Sequence, residues 1–407
     1  MLTPERRARR CRPLARVGAV LAVLVGPVGL AACAAPPPRP APAPVRVLSN
    51  YERATGNTIP RDCGYSSPLP AKPGWSVWLF CDTAIASPRD GRLEHLILGT
   101  DTAAAGPYRA GQAPSRLSEI PTPPAPLILP SAAAPQPFLP APQGLLLPGG
   151  TLACTGPGAY PASWISGMTR DPGSSNLLIS YDDYCVTGNA DSLTAEGFGL
   201  AEYDPARNLL GPPVRVFASV LGLPLPPQQV LGSPVAGRDG YLYLFGFCRA
   251  TAPPDGCGRG RVFLARTVAQ PAYWQNPLTY TYWTPAGWSP DEAAAATLIP
   301  AGRPLGISVA NYTADGRGLV MVEQTSLAGG FQVWQATSPA GPWRRILTGQ
   351  VPCRTGAQHG AQHAAQQGAG DLCRALIGHP ELSTRSRLLI SYFNPGNSHV
   401  DVSAFAW

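Results

Sequence analysis

Apolar and polar residues alternate with a period of two through most of this chain, and the alternating runs come in pairs joined by tight turns. Five segments follow one plan, a short strand rich in small residues, a turn, then a more apolar strand: "RDCGYSSPLPAKPGWSVWLFCDT", "SWISGMTRDPGSSNLLISYDDYC", "LGSPVAGRDGYLYLFGFC", "LGISVANYTADGRGLVMVEQT" and "IGHPELSTRSRLLISYFN". Four of the turns (Lys72-Pro73-Gly74, Asp171-Pro172-Gly173, Arg238-Asp239-Gly240, Asp315-Gly316) carry the residues a hairpin demands. The fifth, around Thr384-Arg385-Ser386, lacks glycine. Between the hairpins, "GFGLAEYDP", "GRVFLART", "LTYTYW" and "FQVWQATSPAGPW" keep the period of half-buried strands. No segment sustains a helical period, since "DEAAAATLI" (Asp291–Ile299) is too short.

Counted between second strands, from Val77 to Leu178, Tyr243, Val320 and Leu389, the intervals are 101, 65, 77 and 69 residues. An interval of about 70 residues accommodates four strands with their loops, which is one propeller blade. The expected fold is therefore all-β: a five-bladed β-propeller of four-stranded antiparallel blades, stapled by disulfides, over residues 46–407. A pair of β-sandwiches with similar hairpins is the competing architecture.

Composition agrees with a turn-rich globular domain. Gly (44) and Pro (49) approach a quarter of the 407 residues, a level that without a period can mean disorder, but 44% of residues are hydrophobic. The formal charge of +7 is misleading, because residues 1–32 carry +5 of it through six arginines and Glu5. No Lys/Arg run remains beyond them, so nucleic acid is not an expected partner.

The same N-terminal stretch reads as an export signal. A basic "MLTPERRARRCRPLAR" precedes the apolar "VGAVLAVLVGPVGLAACAA" and its small residues. It ends in "LAAC", Leu30 to Cys33, which resembles the bacterial lipobox. The expectation is a lipoprotein signal peptide over 1–32, lipidated Cys33, and a Pro-rich tether over 33–45 that holds the domain off the outer face of the cell membrane. An ordinary signal peptide and an uncleaved membrane helix are the alternatives.

Eight further cysteines, Cys63, Cys81, Cys154, Cys185, Cys248, Cys257, Cys353 and Cys373, form an even set that suits disulfides in an exported chain. Pairing of sequence neighbours keeps each bridge within a local unit. No CxxC occurs, so zinc is not expected, and His359 and His363 lie in the low-complexity "GAQHGAQHAAQQGAG".

Candidate chemistry lies at the strand ends. If the first hairpin turns around Lys72, Cys63 stands opposite Cys81 and Asp62 opposite Asp82, within disulfide reach for the former pair. The first strand of each blade lines the channel of a propeller, so Asp62 and Asp82 should lie at one mouth of it. Asp182, Asp183, Glu323, His379 and Glu381 occupy places that look equivalent in other blades. Carboxylates converging there could supply the acid and base of glycoside hydrolysis. Each is equally readable as a turn or cap residue. Trp164, Tyr181, Tyr184, Trp283, Trp288, Trp334 and Trp343 could stack on sugars or pack between blades, and Trp164, on an inner strand, is the binding candidate.

"DCGYSSPLPAKPGWSVWLFCDT", "GYLYLFGFC…GRVFLART…YTYWTPAGW", "WQATSPAGPW" and "HPELSTRSRLLISYFN" resemble a family of secreted bacterial five-bladed propellers, domain of unknown function 4185. Some of its members are endo-D-arabinanases acting on cell-wall arabinan. More distantly the chain resembles arabinanase-type glycoside hydrolases, whose catalytic carboxylates line the channel. The resemblance spans roughly residues 50–407 and implies a polysaccharide ligand. Where the family usually shows Gly-Asp-Thr, this chain has Cys81-Asp82-Thr83.

These readings combine into a monomeric, lipid-anchored propeller that engages an arabinan-like cell-envelope glycan. In its hydrolytic form Asp62 or Asp82 is base or nucleophile, Asp183 or Glu323 is the acid, and His379 and Glu381 join Trp164 in holding substrate. No cofactor is required, although calcium could sit between Asp62 and Asp82. A non-catalytic docking propeller for glycan or protein is the alternative; no GxSxG-type motif supports a peptidase.

Overall fold

A computed structural model describes residues 43–87, 93–97, 101–140, 154, 159–187, 192–218, 231–247, 261–300, 304–312, 315–353 and 372–407. Five antiparallel sheets form the blades of a β-propeller. Their inner strands are Arg61–Pro68, Tyr160–Arg170, Leu231–Ala236, Gly306–Asn311 and Arg374–Gly378, each continuing through its predicted hairpin into the second strand. The blades carry four to six strands rather than a uniform four.

Hydrophobic side chains fill each seam between neighbouring blades. Leu79, Ala103, Ile179 and Tyr203 pack between blades 1 and 2. Leu200, Leu244 and Phe263 fill the next seam, Phe245, Met321 and Trp334 the third, and Val322, Phe331 and Ile390 the fourth. Blade 5 meets blade 1 through Trp78, Phe80, Leu389 and Val400. Strands buried on both faces explain why their second strands read as nearly continuous apolar runs.

Ring closure comes from the N-terminal side. Val45–Arg46 adds the fourth strand to blade 5 by pairing with Val402 and Asp401, and Leu48–Ser49 pairs in parallel with Arg116 and Leu117 of blade 1. Ser49 then caps a short helix, Asn50–Thr55, through a capping box with Glu52. Burial opposes the charge on Glu52, but His399 Nε2 at 2.8 Å and the amides of Ser49 and Ile59 outweigh it and hold the carboxyl below its ordinary value. A buried Arg61–Glu119 pair (3.1 Å) lies beneath, with the Arg61 guanidinium over the Phe80 ring.

Three neighbour disulfides form, Cys63–Cys81, Cys154–Cys185 and Cys353–Cys373. Cys248 and Cys257 lie outside the described residues, as do Cys33, the whole export segment, His359 and His363. Among the described residues, no helix is long and apolar enough to cross a membrane.

The expected register of the first hairpin holds along most of its length, with Tyr65 facing Leu79 and Arg61 facing Thr83. It fails at the cysteine: Cys63 faces Phe80, not Cys81, because Cys63 (φ 62°) and Gly64 (φ 106°) form a bulge. The disulfide closes across that bulge. Asp62 is consequently not a ladder partner of Asp82, and each of the two carboxylates turns to a different neighbouring blade.

Candidate functional site

The inner strands all begin at one end of the central channel. Asp62 is the second residue of the inner strand of blade 1, and Arg374, which starts that of blade 5, donates from Nε to Asp62 Oδ2 at 2.7 Å. Asp82, near the end of the second strand of blade 1, turns the other way. It accepts from Trp164 Nε1 at 2.9 Å and from the Tyr160 hydroxyl at 3.1 Å, both on the inner strand of blade 2. Burial, then the adjacent Asp82 carboxylate, raises Tyr160 well above the ordinary phenol value, so its hydroxyl stays a donor. Asp82 is half-exposed, and Trp164 and Tyr160 are too. The Trp164 ring tilts against Tyr184 with centroids 5.1 Å apart. An indole and a phenol beside an accessible carboxylate make an amphipathic surface with one strong acceptor.

Asp183 stands deeper, 1% exposed, where Ser163 Oγ donates at 2.5 Å and Arg215 Nε and Nη2 donate at 2.7 and 2.6 Å. Both guanidinium nitrogens converge on Oδ2 while Ser163 holds Oδ1, which fixes this carboxylate. Asp182 faces Trp164 across the ladder and is buried.

Asp101 was not singled out by the sequence pattern, yet it lies at the centre of this acidic group. It opens the segment that becomes the third strand of blade 1 and is fully buried. Its Oδ1 accepts from the Ile165 amide at 3.3 Å, while Oδ2 has no hydrogen-bond partner among the described residues. Burial raises its carboxyl well above the ordinary value, and the charges of Asp82, Asp183 and Asp62 push the same way. Burial thus disfavours the charged form of Asp101 within this group of aspartates. Through Ile165 it holds the backbone next to Trp164, at the bulge that follows Ile165. The signal for it was in "GTDTAAAG", an acid followed by threonine as at Asp82-Thr83.

Other candidates are not brought to this mouth. Glu323 is 2% exposed and accepts from Trp334 Nε1 at 2.7 Å inside blade 4; burial raises its carboxyl. It is an internal partner of a packed tryptophan rather than a rim acid. Trp343 is likewise buried, its Nε1 donating to the Pro339 carbonyl at 3.1 Å. His379 and Glu381 follow the end of the inner strand Arg374–Gly378 and therefore lie at the other end of the channel, against Ser66. Ser66 is four residues from Asp62 along one strand, at most about 13 Å away.

One group of potential metal ligands comes together among the described residues, Asp62, Cys63 and Cys81, with ligand atoms within 4.8 Å. The Cys63–Cys81 disulfide consumes both sulfurs, leaving one carboxylate, far short of the six to eight oxygens calcium takes.

No family model matches the chain, and no curated protein matches it. Among solved structures it is similar to a candidate hydrolase from Bacteroides ovatus, with 15% identity over 85% of each chain and a TM-score of 0.49. It is also similar to a GH43_1 enzyme from Xanthomonas citri, with 10% identity, 88% of this chain and 92% of that one covered, and a TM-score of 0.44. A family 117 glycoside hydrolase produced by Zobellia galactanivorans shares 10% identity over 89% of each chain, with a TM-score of 0.43. The chemistry of the Asp82 mouth accordingly rests on its own residues.

Proposed function

We propose that this propeller binds polysaccharide at the mouth built from Asp62, Asp82, Tyr160 and Trp164, and that it hydrolyses an arabinan-like glycan there. The observation that carries the reading is Asp82: a half-exposed carboxylate gripped by an indole N–H and a phenol O–H from the next blade. A sugar face can lie on the aromatic wall while its hydroxyls meet the carboxylates. Asp82 is the base or nucleophile of the hydrolytic reading. Asp62, held by Arg374, faces the same mouth, and burial disfavours the charged form of Asp101. Asp183 is the remaining acid of the group, held by Arg215 and Ser163. No cofactor enters the reading. The resemblance to the domain of unknown function 4185 propellers supports the arabinan specificity, and the lipobox-like "LAAC" supports an anchor at Cys33 on the outer face of the cell membrane.

The test incubates the purified chain with arabinans and arabinogalactans and follows both released oligosaccharides and binding. Products that vanish in folded Asp82→Asn and Asp62→Asn variants place the chemistry at this mouth. Glycan binding without products in any variant leaves the docking propeller, which the burial of Glu323 and Asp183 favours. Cys33→Ser should move the protein out of the membrane fraction; retention there would remove the lipid anchor.

A further inference from the structure

At the end where the inner strands finish, the five blades enclose a cavity of about 170 Å³. Each blade adds a polar lining residue: Ser66, Arg170, Ser233, Asn311 and Glu381, in blade order. A sphere of that volume is about 7 Å across, slightly larger than a cavity that holds benzene, so it suits roughly six to eight non-hydrogen atoms.

Glu381 is incompletely partnered. The Ser66 hydroxyl donates to its Oε1, and the same hydroxyl lies 2.6 Å from His379 Nδ1. Glu381 Oε2 is buried and has no hydrogen-bond partner among the described residues, and His379 Nε2 is in the same condition. No arginine or lysine forms an ion pair with Glu381 among the described residues. His379 cannot serve as its counter-ion, because burial pushes the imidazole down to about 3. Burial pushes Glu381 up to about 7. A buried carboxyl oxygen without a partner is costly unless something arrives to meet it. Arg170, exposed at the mouth of the same cavity, supplies a positive charge in another wall. That charge disfavours a bare divalent cation and suits a ligand whose own charges are opposite and separated.

We propose that this cavity is a second binding site, for a small zwitterion whose primary ammonium sits on Glu381 Oε2 and whose carboxylate reaches Arg170. The site is at the opposite end of the channel from Asp82 and does not rest on the glycan reading. Ser66 is its positioning residue, holding Glu381 Oε1 and leaving Oε2 for the ligand. The ammonium requires the ionised carboxylate, so binding strengthens as pH rises through about 7, the value to which Glu381 is shifted. The other titratable groups that feel this carboxyl are Tyr108 and Tyr312, both raised by burial and then by Glu381 itself.

Calorimetric titration of the full chain at pH 6 and pH 8 tests this with 4-aminobutyrate, n-butylamine, butyrate and calcium chloride. The expected result is one 4-aminobutyrate per chain, bound more tightly at pH 8. Butylamine should bind at least tenfold more weakly and butyrate not measurably. Glu381→Gln should weaken 4-aminobutyrate more than tenfold, Arg170→Gln severalfold, and Asp82→Asn not at all. Arg170 is exposed, so its variant reads the site even if Glu381→Gln fails to fold. No binding of 4-aminobutyrate to the wild type overturns the proposal. Affinity unchanged in Arg170→Gln, or calcium bound at Glu381 in place of the amine, overturns it equally.

Discussion

Where the inner strands begin, Asp62, Asp82 and Asp183 each meet a nitrogen donor: Arg374 from blade 5, Trp164 from blade 2, and Arg215 at the edge of blade 2. Where they finish, Glu381 Oε1 accepts from a serine hydroxyl, and its second oxygen has no partner among the described residues. Both ends are lined by the same five strands, so the fold alone does not set the chemistry of a carboxylate. The difference lies in what the neighbouring blade presents. Donors fixed by a packed seam hold a carboxylate in one geometry, whereas a cavity leaves it to burial, which favours the protonated form. Asp101 shows the second effect inside the first region: it is buried among acids, and among the described residues a single backbone amide donates to it.

Four measurements would break or sharpen this contrast. The largest effect is expected from Asp82→Asn, which should lower glycan turnover about 10²- to 10⁴-fold while leaving the far cavity unaffected. A comparable loss at both ends would mean that the channel responds as one unit. Removing the Cys63–Cys81 bridge by Cys→Ser at both positions should cost about 3 kcal/mol of stability, given the 18-residue separation, as read from denaturant unfolding.

Glu381→Gln should act on pH dependence. The native carboxyl, raised from 4.5 to about 7, keeps a proton that the unfolded chain has already released. Wild-type stability should therefore fall as pH rises from about 4.5 to 7, and the glutamine variant should be flatter there, gaining about 3 kcal/mol at pH 8. Thermal melts across that window decide it, and parallel curves would show that Glu381 has a partner at this end after all. Trp164→Phe should have the smallest effect, about a tenfold loss of glycan affinity or turnover, because the ring stays and only the N–H to Asp82 goes. Normal behaviour of that variant would reduce Asp82 to a strand-end residue.

Much of this was legible in the chain, and what was not has a common cause. Asp82 was marked by its place at the end of an apolar strand, Trp164 by its inner-strand position, and Cys63–Cys81 by the hairpin register. The bulge at Cys63–Gly64 was not, because a positive φ at a cysteine leaves no pattern in periodicity. Tyr160 and Arg374 escaped notice because they lie 78 and 312 residues from the aspartates they hold. Glu323 looked equivalent to Asp82 by strand position, but its side chain is taken by Trp334 on the next strand. His379 and Glu381 were assigned to the wrong mouth because "GHPEL" follows an inner strand, where the aspartate candidates precede one or end a second strand.

The amino-acid sequence by itself determined the hairpins, their repetition, the all-β class and the neighbour disulfides, since each depends on residues close together in the chain. Tertiary structure alone decided which end of the channel each acid faces and which donor meets it. For Asp62, Asp82 and Glu381 those contacts cross seams between blades, which no pattern within one blade records.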